Sequence, residues 1–100
     1  MSSVPFRLTK EALQDLNQIW IFTLQNWSKK QADRYYDLLL NEIRYISKNP
    51  FVGKSIDHLR PSYRLTKVKS HIIFYRTLTD NKVEIVRILH QRMNVKDRLT

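Results

Sequence analysis

The sequence predicts an α+β domain in which an N-terminal strand precedes an antiparallel two-helix hairpin packed on a small, mainly antiparallel β-sheet. Three observations predict it. Apolar residues recur at helical spacing from about residue 10 to 48, interrupted only around Trp27-Ser28. Asn49-Pro50 then ends that pattern, because a residue before proline is pushed out of helical geometry. Beyond it lie three extended runs, joined by turns too short for a parallel crossover. The chain has 100 residues with 42% apolar content, enough for one core and one domain spanning 1–100.

Each element has its own local reason. Val4 to Leu8 reads as extended, with Pro5 placing it at a sheet edge or the start of a strand. Thr9 reads as the N-cap of a first helix, and Glu11 and Asp15 sit near the positive end of its dipole. Ala12, Leu16, Ile19 and Thr23 form one apolar stripe, and Leu13, Trp20 and Trp27 an adjoining one. Ser28 caps a second helix, with Gln31 completing a capping box. Its wide apolar face runs through Ala32, Tyr35, Tyr36, Leu39, Leu40, Ile43 and Ile46. With almost no linker, the two helices pack as a hairpin. Residues 51–62 read as a loop holding the single glycine, Gly53, and Pro61. Tyr63–Val68, His71–Thr77 and Val83–His90 read as strands. The last two are apolar on both faces and so belong in the middle of the sheet. Asp80-Asn81 suits a tight turn that needs positive φ. The order is β-α-α-β-β-β, and a basic tail from about residue 91 is expected to extend past the sheet.

Composition bounds the function. No cysteine is present, which excludes a disulfide framework, a zinc knuckle and a thiol nucleophile. One glycine excludes Gly-rich phosphate loops. Met1 to Arg7 carries no secretory h-region, and no apolar stretch reaches the roughly 18 residues of a membrane span. A cytoplasmic protein without membrane attachment is therefore expected. There are 18 Lys and Arg against 9 Asp and Glu, a net charge of +9. Residues 1–50 hold 7 basic and 5 acidic side chains, whereas residues 51–100 hold 11 and 4. An anionic partner is expected to meet the C-terminal half.

Few groups could perform catalysis. Asp33 and Asp37, with Lys29, read as a solvated ion-pair face, and Glu11 and Asp15 are explained by the helix dipole. Glu84 faces solvent or pairs with Arg76 or Arg87. His58, His71 and His90 match no metal-ligand spacing, so no metal or cofactor is expected. His71 begins one strand and His90 ends another; register decides whether they share a rim. Register also decides whether Arg64, Arg76 and Arg87 converge into a site for phosphate or an acidic peptide.

The closing segment Glu84-Ile85-Val86-Arg87-Ile88-Leu89-His90-Gln91-Arg92-Met93-Asn94, and His71-Ile72-Ile73-Phe74-Tyr75-Arg76 before it, resemble ParE-type toxins of bacterial toxin–antitoxin pairs. So do Leu8-Thr9, Ala12, Asp15-Leu16, Ile19, Thr23, Trp27, Gln31-Ala32 and Tyr35, and the turn Asn49-Pro50 with Gly53. The likeness covers residues 6–96. Asn94 stands where the family usually has Asp, and Ser28 where Gly is common. The resemblance implies the RelE/ParE fold and a non-enzymatic inhibitor of DNA gyrase that blocks replication, a plasmid-stabilising activity. It implies a ParD-like antitoxin whose acidic C-terminal segment lies across the toxin in a hetero-oligomer, the free toxin being monomer or dimer. Arg87, His90, Arg92, Met93 and Lys96 are the expected target contacts. Trp20, Tyr35, Arg64, Lys67 and Arg76 are the expected antitoxin contacts. The superfamily also holds RelE-type endoribonucleases that cut mRNA in the ribosome. On that alternative Arg64, Arg76 and Arg92 stabilise the transition state and His90 moves the proton. A third reading is a basic domain that only co-represses its operon with the antitoxin.

Overall fold

The computed structural model describes residues 6–93 with 98 and 99. Along it run β1 (Phe6–Leu8), α1 (Lys10–Asn26), α2 (Lys29–Lys48), β2 (Lys54–Ser55), β3 (Tyr63–Val68), β4 (His71–Thr77) and β5 (Val83–His90). Val4 and Pro5 of the expected first strand lie outside the described residues, as do Asn94 and Lys96. Both helix caps form as their residues dictate. Thr9 accepts the Ala12 N–H at 3.0 Å, and Ser28 accepts the Gln31 N–H at 3.1 Å.

The strands make one sheet in the order β1-β5-β4-β3-β2. The doubly apolar β4 and β5 lie inside it, as their composition requires. β1 pairs with β5 in parallel, Phe6 opposite Val83 and Leu8 opposite Ile85, and every other pairing is antiparallel. β2 was not expected: two residues of the 51–62 loop pair with β3, Lys54 opposite Leu65 and Ser55 opposite Arg64. So short a run carries no periodicity. The turn residues Lys69 and Asn81 take positive φ, 55° and 64°.

The helix hairpin covers one face of the sheet. Ala12 and Leu16 of α1 and Leu39, Ile43 and Ile46 of α2 pack on Ile73, Tyr75, Val83, Ile85 and Ile88. Each fully buried Leu or Ile there contributes about 1.5–3 kcal/mol. The second α1 stripe does not join this core: Leu13 and Trp27 are exposed, and Trp20 donates its Nε1–H to Asp33 of α2 at 3.0 Å. One helical face of α1 suffices to fill the space above β5, so the neighbouring stripe is left outside. The opposite sheet face holds a second cluster of Ile56, Tyr63, Ile72, Phe74, Leu89 and Leu99. Leu99 is buried there, and Arg60 Nη1 donates to its carbonyl at 2.6 Å. The end of the chain thus returns to the sheet instead of extending past it. Burying Leu99 on the sheet face opposite the helix hairpin is the physical reason.

One interaction fixes α1 to the sheet. The β1 ladder ends at Leu8–Ile85, which leaves the outer edge of β5 without a strand partner from there on. α1 takes over that edge. The Thr9 N–H donates to Ile85 O at 3.0 Å, and the Thr9 hydroxyl donates to Val86 O at 2.7 Å. Asp15 Oδ2 accepts the Ile88 N–H at 3.0 Å. Arg87 closes the arrangement with two parallel bonds to Asp15, Nε to Oδ2 at 2.8 Å and Nη2 to Oδ1 at 2.9 Å. A register shift at Phe74/Tyr75 sets Arg87 opposite Phe74 and Ile85 opposite Tyr75, leaving Val86 as the extra residue of a bulge. Asp15 is therefore an interelement clamp, and the helix dipole alone does not account for it. Both side chains are mostly covered, with 15% and 20% of their surface exposed. The exposed Lys29–Asp33 pair at 2.8 Å is of another kind, screened by water. Replacing Asp15 with Ala is expected to cost about 2–4 kcal/mol, because it strands a covered guanidinium and a backbone N–H. Lys29→Ala is expected to cost under about 0.5 kcal/mol. Urea denaturation of the two variants measures both.

Candidate functional site

β4 begins and β5 ends at the same rim. Register places His71 directly opposite His90, which settles the question the sequence left open. Their rings meet edge to face with centroids 5.3 Å apart. Above them the last turns of α1 and the first of α2 stand away from the sheet, leaving a groove of about 680 Å³. Its helical wall is Gln18, Ile19, Phe22, Thr23, Trp27, Gln31 and Tyr35. Its other wall is the β3–β4 turn, Lys69 and Ser70, with His71, His90 and Met93. Trp27 and Phe22 are 74% and 62% exposed, and Met93 43%. Among the described residues no aspartate or glutamate lines the groove. An apolar wall with aromatic anchors, facing the Lys69 cation and two imidazoles, suits an amphipathic acidic segment.

The floor is held by a short polar network. Tyr35 Oη lies 2.6 Å from His71 Nδ1 and donates to Val68 O at 3.1 Å. His90 Nδ1 accepts the Arg92 N–H at 3.1 Å, which leaves the proton of the neutral ring on Nε2. Burial holds the His71 imidazolium in check, helped by His90 and opposed by Asp15, so that its pKa falls to about 4. Burial also raises the Tyr35 phenol above its ordinary value.

The residues singled out from the sequence divide between two ends of the sheet. Tyr35, His90 and Met93 line the groove, and Arg92 is exposed in the turn beside His90. Lys96 lies outside the described residues. Lys67 is exposed near this rim, but it pairs with Ile72 and so belongs to the second sheet face. Arg87 is occupied by Asp15, and Trp20 by Asp33. Arg64 and Arg76 stand at the far end, about 17 Å along β4 from His71. They are also on opposite faces, since Arg64 pairs with Tyr75 of one cluster and Arg76 with Tyr63 of the other. Arg76 binds Glu84 at 2.8 Å. Arg64 Nη1 donates to Gly53 O at 2.7 Å and its guanidinium lies 5.3 Å from the Phe51 ring centroid. Arg64, Arg76 and Arg87 therefore do not converge.

That far end is closed. Tyr75 Oη accepts the Gly53 N–H at 2.8 Å and donates to Pro50 O at 2.9 Å. A Cβ on Gly53 would come within 2.5 Å of Tyr75 Oη and 2.8 Å of Leu65 O, so only glycine fits this close approach. Phe22 and Trp27 are groove residues that sequence reasoning did not assign to a site, and it named His71 only with the register left open. Phe22 gave one signal: it is a large aromatic of α1 that belongs to neither apolar stripe.

The architecture is thus a helix hairpin covering one face of a mixed five-stranded sheet, with an open groove at one rim. Residues 6–95 match the family model of the ParE toxin of type II toxin–antitoxin systems. The toxin ParE1 of Caulobacter vibrioides is 39% identical over 95 residues, covering 95% of this chain and 97% of that protein. The toxin ParE1 of Mycobacterium tuberculosis is 36% identical, with coverage of 94% and 96%, and the toxin ParE of Escherichia coli 30%, with 92% and 89%. A chain from a chromosomal ParDE toxin–antitoxin system of P. aeruginosa shares the fold, with TM-score 0.73 at 17% identity, over 85% of this chain and 92% of that one. The chain belongs to the ParE toxin family of type II toxin–antitoxin systems. No helix among the described residues is long and apolar enough to cross a membrane.

The depressed His71 pKa has a consequence for stability. The unfolded chain binds this proton near pH 6.5 and the folded chain near pH 4. The folded state therefore gains from neutral His71 above pH 6.5 and loses that gain as pH falls from 6.5 to 4. Thermal melts of the protein are expected to show Tm falling across this window, and falling less in His71→Gln.

Proposed function

We propose that this toxin inhibits DNA gyrase from the rim that carries the groove, and that a ParD-like antitoxin neutralises it by laying an acidic C-terminal segment into the groove. The observation that carries the reading is the groove itself: exposed Phe22 and Trp27 on one wall, Lys69, His71 and His90 on the other, and no carboxylate among its described lining residues. Apolar anchors reward burial, and the Lys69 cation selects an acidic partner. The relatives named as ParE toxins support the assignment of activity.

Arg92 and Met93, with Lys96, are the proposed gyrase contacts, and His90 holds their turn through the Arg92 N–H. Met93 also lines the groove, so an antitoxin segment lying there covers a gyrase contact directly. Neutralisation is thus occlusion of one surface by the other partner. On this reading the protein is not an enzyme and acts in the cytoplasm, and the toxin–antitoxin complex is a hetero-oligomer. Trp20, bound to Asp33, and Arg64, bound to the Gly53 carbonyl, do not line the groove. Lys67 and Arg76 are left outside the groove. The endoribonuclease alternative has less support, because Arg64 and Arg76 stand far from His90 and Arg92 and on opposite faces.

A supercoiling assay tests the proposal. Wild-type toxin added to gyrase and relaxed plasmid is expected to inhibit supercoiling, and Arg92→Ala with Met93→Ala to need at least about tenfold more protein, the equivalent of one lost contact of about 1.4 kcal/mol. Antitoxin is expected to restore supercoiling. Unimpaired supercoiling at excess toxin would overturn the reading.

A further inference from the structure

The groove floor carries a pair of imidazoles whose hydrogen bonds are arranged for a ligand of definite charge. The geometry points to a carboxylate seat formed by His71 and His90, in which an acidic side chain of the antitoxin segment is bound together with a proton. This inference rests on the reading that such a segment occupies the groove.

The polarity of the network carries the argument. The Tyr35 hydroxyl has one proton, and it donates to Val68 O. Tyr35 Oη then presents a lone pair to His71 Nδ1 at 2.6 Å, which suits a ring that carries a proton on Nδ1. A neutral His71 in that state keeps an acceptor at Nε2, and a carboxylate meets it with nothing to share. Adding one proton at Nε2 makes His71 a donor at both nitrogens. The chain Val68 O, Tyr35 Oη, His71, carboxylate is then complete, with every proton placed. His90 supplies a second donor, because its Nδ1 accepts the Arg92 N–H and its ring proton sits on Nε2. The rings are neighbours, 5.3 Å between centroids, and both line the groove.

The groups facing His71 explain why the proton arrives only with the ligand. From α2 comes the uncharged Tyr35 phenol, from β5 His90, and from the β3–β4 turn the cation Lys69. From α1 comes Asp15, whose charge favours the imidazolium but is bound to Arg87. Burial outweighs Asp15 in the empty groove and keeps His71 neutral. A carboxylate at the seat supplies the charge that Asp15 cannot. Binding therefore takes up a proton, and affinity rises as pH falls toward the range where unliganded His71 titrates.

The test uses the full toxin and a synthetic peptide of the acidic C-terminal segment of the antitoxin encoded beside it. Affinity measured by Trp fluorescence or calorimetry is expected to rise about tenfold or more between pH 8 and pH 5.5, which corresponds to a His71 that titrates at about 6.5 or above in the complex. In His71→Gln it is expected to change less than about threefold. The His71 Cε1–H resonance of wild-type toxin, which needs no variant, is expected to titrate at least about two pH units higher in the complex than in the toxin alone. If the peptide binds but the His71 titration is unmoved, or if His71→Gln keeps the pH slope, the seat is refuted while the antitoxin reading stands. If the peptide does not bind wild-type toxin at any pH, both fall.

Discussion

The join between α1 and the unpaired edge of β5 supports everything else in this molecule. β1 is only three residues long, so β5 would present bare N–H and C=O groups beyond Ile85. Thr9 and Asp15 satisfy them, and Arg87 neutralises the carboxylate that does so. The bulge at Val86 lets Arg87 take part without disturbing the outward course of the strand. Because α1 is held along this edge, its C-terminal turns project beyond the sheet, and the groove is the space they leave above His71 and His90.

The two ends of the sheet are built for opposite tasks. At one end Tyr75, Arg64 and the Gly53 backbone interlock, and the approach at Gly53 is too close for any side chain. At the other, the polar network of Tyr35, His71 and His90 is incomplete toward the groove, and Phe22 and Trp27 are left in water. Exposed aromatic surface is unfavourable in an isolated chain and becomes favourable when a partner covers it. Part of the net charge of +9 gains a location in the same way: Lys69 and Arg92 stand at the rim beside His71 and His90, whereas Arg76 and Arg87 are paired with Glu84 and Asp15.

Much of the fold was legible along the chain. Thr9 and Ser28 cap the helices, Asn49-Pro50 stops the second, and Asn81 turns the last hairpin, because capping and turn chemistry act within three or four residues. The central position of β4 and β5 followed from their two apolar faces. The site was only half legible. Tyr35, His90 and Met93 were singled out and line the groove, but Trp27 read as part of a core stripe, and His71 as an ordinary strand-end histidine. Apolar periodicity says that a face is apolar; it does not say whether a second layer covers it.

The sequence by itself determined the helix hairpin, the three long strands, the absence of thiol chemistry and the basic bias of the second half, all set by composition or by contacts a few residues apart. The tertiary structure alone decided that β1 runs parallel to β5, that Leu99 returns to the sheet, and that His71 faces His90. It also decided which arginines are engaged. Asp15 and Arg87 are 72 positions apart, and their meeting depends on strand register and on one bulge. A single-residue slip would exchange the faces of β5 and leave the amino-acid pattern unchanged. That dependence on register is why the charge could be counted from the chain, while the place where it acts could be found only in the fold.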